Sequence, residues 1–199
     1  CQLYCFCGRL GHRRFFCALF LLRGYMKRLL IVVDYQIDFV SGSLGFEKAK
    51  NLDLPIISNK IKEYRNNGDE IAFTFDTHDN NYLNTFEVKH LPVSHCIINT
   101  IGHDLYGNVG LNYDKNDITF YKNTFGSDEL YEFLKTNKYE SIELVGLVSN
   151  ICVLSNAVLA RTAQPETQII VDSSCTASND EIINIETLDV LKGLQIKVI

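Results

Sequence analysis

Methionine is almost missing from this 199-residue chain; the only one is Met26. Acidic side chains are missing from residues 1–25, CQLYCFCGRLGHRRFFCALFLLRGY, which hold four arginines and four of the seven cysteines. A long apolar run is missing there too. The stretch FFCALFLL has eight residues, whereas a transmembrane helix needs about 20. No small-residue cleavage site follows it, as a secretory signal would require. The remaining reading takes Met26 as the true start and residues 1–25 as translated upstream sequence without stable packing. The fold is therefore read from residue 26 onward.

Basic surface is lacking in the rest. Residues 26–199 carry 15 Lys+Arg against 24 Asp+Glu, with no basic stripe, which excludes nucleic acid as the main partner. Cysteine thins to Cys96, Cys152 and Cys175. An odd, sparse set in an acidic domain fits a reducing, cytoplasmic setting rather than a disulfide framework. Internal repeats and low-complexity segments are also missing, so 26–199 reads as one domain. A chain of this size buries roughly 70% of its unfolded surface and needs no staple.

What is present is a series of short apolar runs rich in β-branched residues: LLIVVD (29–34), EIAFTFD (70–76), ITFY (118–121), SIELVGLV (141–148), QIIVD (168–172) and QIKVI (195–199). Near-continuous apolar runs suit strands buried on both faces, as in parallel sheets. Helical patterns lie between several of them. Ile56, Ile57, Ile61 and Tyr64 share a face, with Gly68 as a terminating glycine. Leu130, Phe133 and Leu134 follow Ser127, an N-cap with Asp128 and Glu129 in the first turn. Residues 180–192 place Ile182, Ile185, Leu188 and Leu191 three apart, with Gly193 after them. Alternating strands and helices predict a three-layer, doubly wound α/β fold on a mostly parallel six-stranded sheet.

Chemistry gathers at the strand ends. Asp34 ends the first run, Asp76 and His78 the second, Lys122 follows the third, and Cys152 follows the fourth where a helix begins. A strand-ending Asp is usually a turn or cap residue, and a lone Cys is usually a small core residue. In open α/β sheets, however, sites form outside the carboxyl ends of the strands. Four distant segments thus deliver acid, imidazole, amine and thiol to one edge.

VVDYQIDFV (32–40), FDTHDNNYL (75–83), LPVSHC (91–96), FYKNTFGS (120–127) and LVGLVSNICVLSNAVLA (144–160), in this order, resemble the isochorismatase-like cysteine hydrolases and, within them, the nicotinamidases. The resemblance covers 28–199. It implies a Cys152 nucleophile, a Lys122 ammonium and an Asp34 general base. It also implies an oxyanion hole from the N–H groups of Val148 and Cys152, beside a cis peptide at Val148–Ser149. A helix N-terminus and a neighbouring ammonium would both lower the Cys152 pKa. In the D-x-Q-x-D-F pattern only Asp34 matches the catalytic position. Asp38 is expected to brace the following loop, and Phe39 to wall the substrate pocket.

The resemblance further implies a divalent metal, zinc first, held by Asp76, His78 and His95. Nicotinamidases commonly place another histidine in the intervening loop. Here Tyr82 and Leu83 stand in that neighbourhood, and Glu87 is taken as the fourth ligand; His90 is assigned to loop surface. The alternative is that His78 and His95 are only hydrogen-bonded pocket residues. Ser149-Asn150 stands where Thr-Asp is usual, and Asn123 follows Lys122 where small residues or proline are frequent. The expected activity is hydrolysis of nicotinamide to nicotinate and ammonia. Another small amide or carbamoyl-amide, a vinyl-ether substrate and a silent binding protein are the alternatives. Partners are then a small-molecule amide and, at most, further copies of the chain, with no membrane.

Overall fold

A computed structural model describes residues 26–199; the expectation for residues 1–25 lies outside the described residues. Six strands form one sheet: β1 (Leu29–Val33), β2 (Glu70–Asp76), β3 (Ile118–Lys122), β4 (Ser141–Leu147), β5 (Gln168–Ala177) and β6 (Lys197–Val198). Their order is β3-β2-β1-β4-β5-β6, and every pairing is parallel. That is the doubly wound order, with its topological switch point between β1 and β4.

The period-2 alternation of β1 assigns the two layers. Leu29, Ile31 and Val33 face a core with Leu130 and Leu134 of α5 (Asp128–Thr136), Ala157 and Ala160 of α6 (Leu154–Ala163), and Leu191 of α7 (Glu181–Gly193). Leu30 and Val32 face a second core. It contains Val40 of α1 (Ile37–Val40), Ala49 of α2 (Glu47–Lys50), Ile61 and Tyr64 of α3 (Ser58–Asn66), and Val109 of α4 (Gly107–Asn112). All five residues of β1 are fully buried, as the unbroken apolar run requires.

Local signals hold at several ends. Ser127 caps α5 by accepting from Leu130 N at 3.1 Å, and Gly68 adopts φ +74° after α3. Gly146 matters more. With φ +109°, a Cβ there would lie 2.1 Å from Val33 O, so only glycine lets β4 pass β1 beneath the switch point.

The face of α7 differs from expectation. Ile182 and Ile185 are 70% and 53% exposed, while Asn184, Thr187 and Leu191 point inward. Residues three apart drift by about 60° per step on a helix of 3.6 residues per turn. Ile182 and Leu191 therefore lie on opposite sides. Among the described residues, no helix is long and apolar enough to cross a membrane.

Candidate active site

β1 ends and the chain leaves the sheet at Asp34, which takes φ +43°, a left-handed conformation that Asp tolerates better than most residues. Its side chain is fully buried and fixed on one side by Thr74, whose hydroxyl donates to Asp34 Oδ1 at 2.6 Å. Lys122, the last residue of β3, brings its Nζ to 2.6 Å from Asp34 Oδ2. The same Nζ lies 3.6 Å from Cys152 Sγ and 3.6 Å from Asp76 Oδ1. Three strand ends and the turn after β4 thus meet on one ammonium.

Cys152 sits in a wide turn, Ser149–Val153, that runs directly into α6. Asn156, fully buried on α6, ties that turn down. Its Nδ2 donates to Cys152 O at 2.8 Å, and its Oδ1 accepts from Ser127 N at 3.0 Å. Nothing in the local pattern marks Asn156, because a mid-helix Asn gains its role only through tertiary contact. The cis peptide falls at Leu147–Val148, one residue before the position expected. Leu147 is the last paired residue of β4, so the irregular bond joins the strand to the turn.

The electrostatics correct one expectation. Burial and the facing Asp34 carboxylate push the Cys152 thiol well up, with Lys122 opposing. The helix N-terminus and the ammonium do not outweigh them. Burial also pushes the Asp34 carboxyl up, against Lys122. Lys122 is raised too, because Asp34, Cys152 and Asp76 together overcome its desolvation. The resting site is a protonated thiol, a firmly held ammonium and a carboxyl of increased proton affinity.

Asp76, His78, Glu87 and His95 converge one layer further out. His78 Nε2 and His95 Nε2 each lie 3.2 Å from Asp76 Oδ2. The Glu87 carboxylate faces both imidazoles at 3.8 Å. The ligand atoms of Asp76, His78 and His95 all fall within 4.8 Å of one another. His95 Nδ1 lies 2.8 Å from Val93 O, an acceptor, which turns Nε2 toward Asp76 and Glu87. Two imidazoles and the Asp76 carboxylate on one point fit a zinc-like divalent ion, with the expected fourth donor, Glu87, standing outside that group at 3.8 Å from the imidazoles. Burial works against a low pKa at Asp76, but hydrogen bonds to His78 and His95 and the Lys122 charge hold its carboxyl below the usual range.

A cavity of about 770 Å³ opens beside these donors, lined by His78, Tyr82, Phe86, Glu87 and Phe125 among others. His90 is exposed at this cavity. Phe39 is not part of its lining. Its ring centroid lies 5.6 Å from that of His95, so it backs the imidazole instead of walling the cavity. Asp38 braces two loops, accepting from Ser43 N at 3.3 Å and Cys96 N at 2.8 Å. His103, which nothing in the sequence singled out, has Nε2 2.8 Å from Thr77 Oγ1 and stacks on Phe75.

Fold and site define an α/β protein with a buried Asp–Lys–Cys cluster at the switch point of a parallel sheet. An isochorismatase domain model matches residues 28–186; the chain belongs to the isochorismatase family of hydrolases. An isochorismatase family protein of Bacillus subtilis (strain 168), PncA, is 32% identical over 143 residues, 67% of this chain and 78% of that protein. The pyrazinamidase/nicotinamidase of Streptococcus mutans UA159 is 30% identical, with a TM-score of 0.78 over 87% of this chain and all of that one. A Pyrococcus horikoshii pyrazinamidase in complex with zinc shares the fold at 21% identity, with a TM-score of 0.76 over 87% of this chain and 98% of its own.

Proposed function

We propose that the chain is a cysteine-dependent amidohydrolase that converts nicotinamide to nicotinate and ammonia. The observation that carries this reading is the position of Lys122 Nζ, 2.6 Å from Asp34 Oδ2 and 3.6 Å from Cys152 Sγ. The relatives named for nicotinamidase activity support the substrate class.

Asp34, with its raised proton affinity, takes the Cys152 proton as the sulfur attacks the amide carbonyl. Backbone N–H groups of Val148 and Cys152 would receive the developing oxyanion. Asp34 then passes the proton to the departing amine, releasing ammonia and leaving a thioester on Cys152. Water attacks the thioester, Asp34 accepts its proton, and the thiol is restored as nicotinate leaves. Lys122 stays charged throughout and balances the negative charge shared by Asp34 and the sulfur. Asp76, His78, Glu87 and His95 would hold the divalent ion, which when bound supplies a Lewis-acid anchor for a substrate lone pair such as a pyridine nitrogen.

Hydrolysis of another small amide or carbamoyl-amide by the same triad is the second reading. It is favoured by Asn123, which lines the cavity beside Lys122 where small residues or proline are frequent in the family. Cys96, Cys152 and Cys175 are free and buried, which supports a reducing, cytoplasmic setting. The test is ammonia release from nicotinamide and from a small panel of amides, with and without iodoacetamide. Release from nicotinamide that iodoacetamide abolishes supports the reading. No release from any amide would favour a silent binding protein.

A further inference from the structure

We propose that Gln36 is a positioning residue that sets Asp76 by acting as a substitute strand. The inference rests on the reading of Asp76, His78, Glu87 and His95 as metal donors, and goes beyond it to the residue that aims them. β1 pairs with β2 in parallel register up to Val33 opposite Thr74. The chain then turns out of the sheet at Asp34. The backbone of Asp76, at the end of β2, is thereby left without a β1 neighbour where its carboxylate must be aimed in two directions.

The Gln36 carboxamide fills that gap. Its Oε1 accepts from Asp76 N at 2.9 Å, and its Nε2 donates to Asp76 O at 2.9 Å. One side chain therefore offers Asp76 the acceptor and donor that a neighbouring strand's peptide groups would have offered. The second Nε2 hydrogen goes to His103 O, also at 2.9 Å, which anchors the amide to the turn at 101–103. Gln36 is fully buried, and the four bonding positions of its amide face no solvent that could replace these partners.

The consequence is geometric. Asp76 Oδ2 must reach two imidazoles while Oδ1 faces Lys122. A carboxylate on a backbone free to tilt cannot hold both. The Gln36 carboxamide bonds to neither a metal donor atom nor Cys152, so it acts through Asp76.

The test is zinc titration of the demetallated full chain, by competition with a chromophoric chelator. Gln36→Met removes all three hydrogen bonds at similar volume. Gln36→Glu keeps the acceptor and gives up the donors. Both should bind zinc roughly 10–100-fold more weakly than wild type, the range seen when partners that orient metal ligands are lost. KM for nicotinamide should rise more than kcat falls. Asp180→Ala, which removes the N-cap of α7, is the control for lost stability and should keep wild-type zinc affinity. Wild-type protein that takes up no stoichiometric zinc overturns the donor-set reading and this inference with it. Wild-type protein that binds zinc while both Gln36 variants bind it equally well overturns the inference alone. Should Gln36→Met fail to fold, Gln36→Glu decides by the same titration.

Discussion

Lys122 Nζ and Asp34 Oδ2 stand 2.6 Å apart with both side chains at most 1% exposed. A pair so placed has paid its desolvation on both sides, so removing one partner strands the other. Lys122→Met should cost about 3–5 kcal/mol at neutral pH and lower kcat on the order of 10²–10³-fold. Burial already raises the Asp34 carboxyl, and removing Lys122 raises it further. A carboxyl raised above its unfolded value favours the fold below that unfolded value, and the contribution is lost as pH rises through the folded value. The deficit of Lys122→Met should therefore shrink toward acid pH. Adding Asp34→Asn should recover much of it. Urea melts across pH, on the single and double variants, check both statements.

Cys152→Ala should abolish turnover, by about 10⁴-fold or more, with the melting temperature little changed. Because burial and Asp34 push the thiol up, its alkylation by iodoacetamide should keep accelerating above neutral pH. A plateau already at pH 6 would mean a resting thiolate and contradict proton transfer to Asp34 during attack. Cys175, 1% exposed, and the fully buried Cys96 should react more slowly than Cys152, which is 6% exposed at the site. Mass mapping of the first alkylated site decides.

Lys60 on α3 links the helix layer to the sheet. Its Nζ lies 2.5 Å from Glu143 Oε1 and 2.6 Å from Asp172 Oδ2. Desolvation opposes a low Asp172 pKa, yet hydrogen bonds from Lys60 and Ser174 hold the carboxyl below its usual range. A depressed carboxyl contributes stability above its unfolded value and loses it as pH falls through the folded value. Lys60→Met should thus destabilise by about 1–3 kcal/mol near pH 7, below the loss for a fully buried pair because partial solvent exposure screens these charges. The gap to wild type should close toward pH 3. Parallel denaturation curves at the two pH values test it; a gap that is constant in pH would place the loss in packing alone.

The strands were legible because buried parallel strands leave unbroken apolar runs, and Asp34, Asp76, Lys122 and Cys152 because each closes or follows one. The inward face of α7 is not legible in the repeat because a three-residue spacing precesses around the helix. The direction of the Cys152 pKa is not legible either. Helix terminus and ammonium are local and visible in sequence, whereas burial and the facing Asp34 appear only when β1 and β4 lie side by side. Gln36 and Asn156 belong to the same class. Their amides complete hydrogen bonding for residues 40 and 29 positions away, and no periodicity announces that.

The metal donors give the last prediction. Asp76, His78 and His95 surround one point beside the cavity, with Glu87 3.8 Å from both imidazoles. An ion there would orient substrate, since Cys152 already supplies the nucleophile. Chelation should raise KM for nicotinamide strongly, while simple aliphatic amides, which lack a ring nitrogen, should be impaired much less. His95→Ala should reproduce that pattern and lower bound zinc below one per chain, because Nε2 is the atom it removes from the set. Glu87→Gln should have a smaller effect, as the Glu87 carboxylate stands further from the imidazoles, 3.8 Å against 3.2 Å for Asp76. Metal analysis of purified protein, followed by kinetics on both amide types, separates the outcomes. Protein without stoichiometric metal, together with His95→Ala that turns over nicotinamide normally, would reduce the cluster to a hydrogen-bonded pocket. Equal impairment of nicotinamide and aliphatic amides would instead place the ion in the chemical step, against an orienting role.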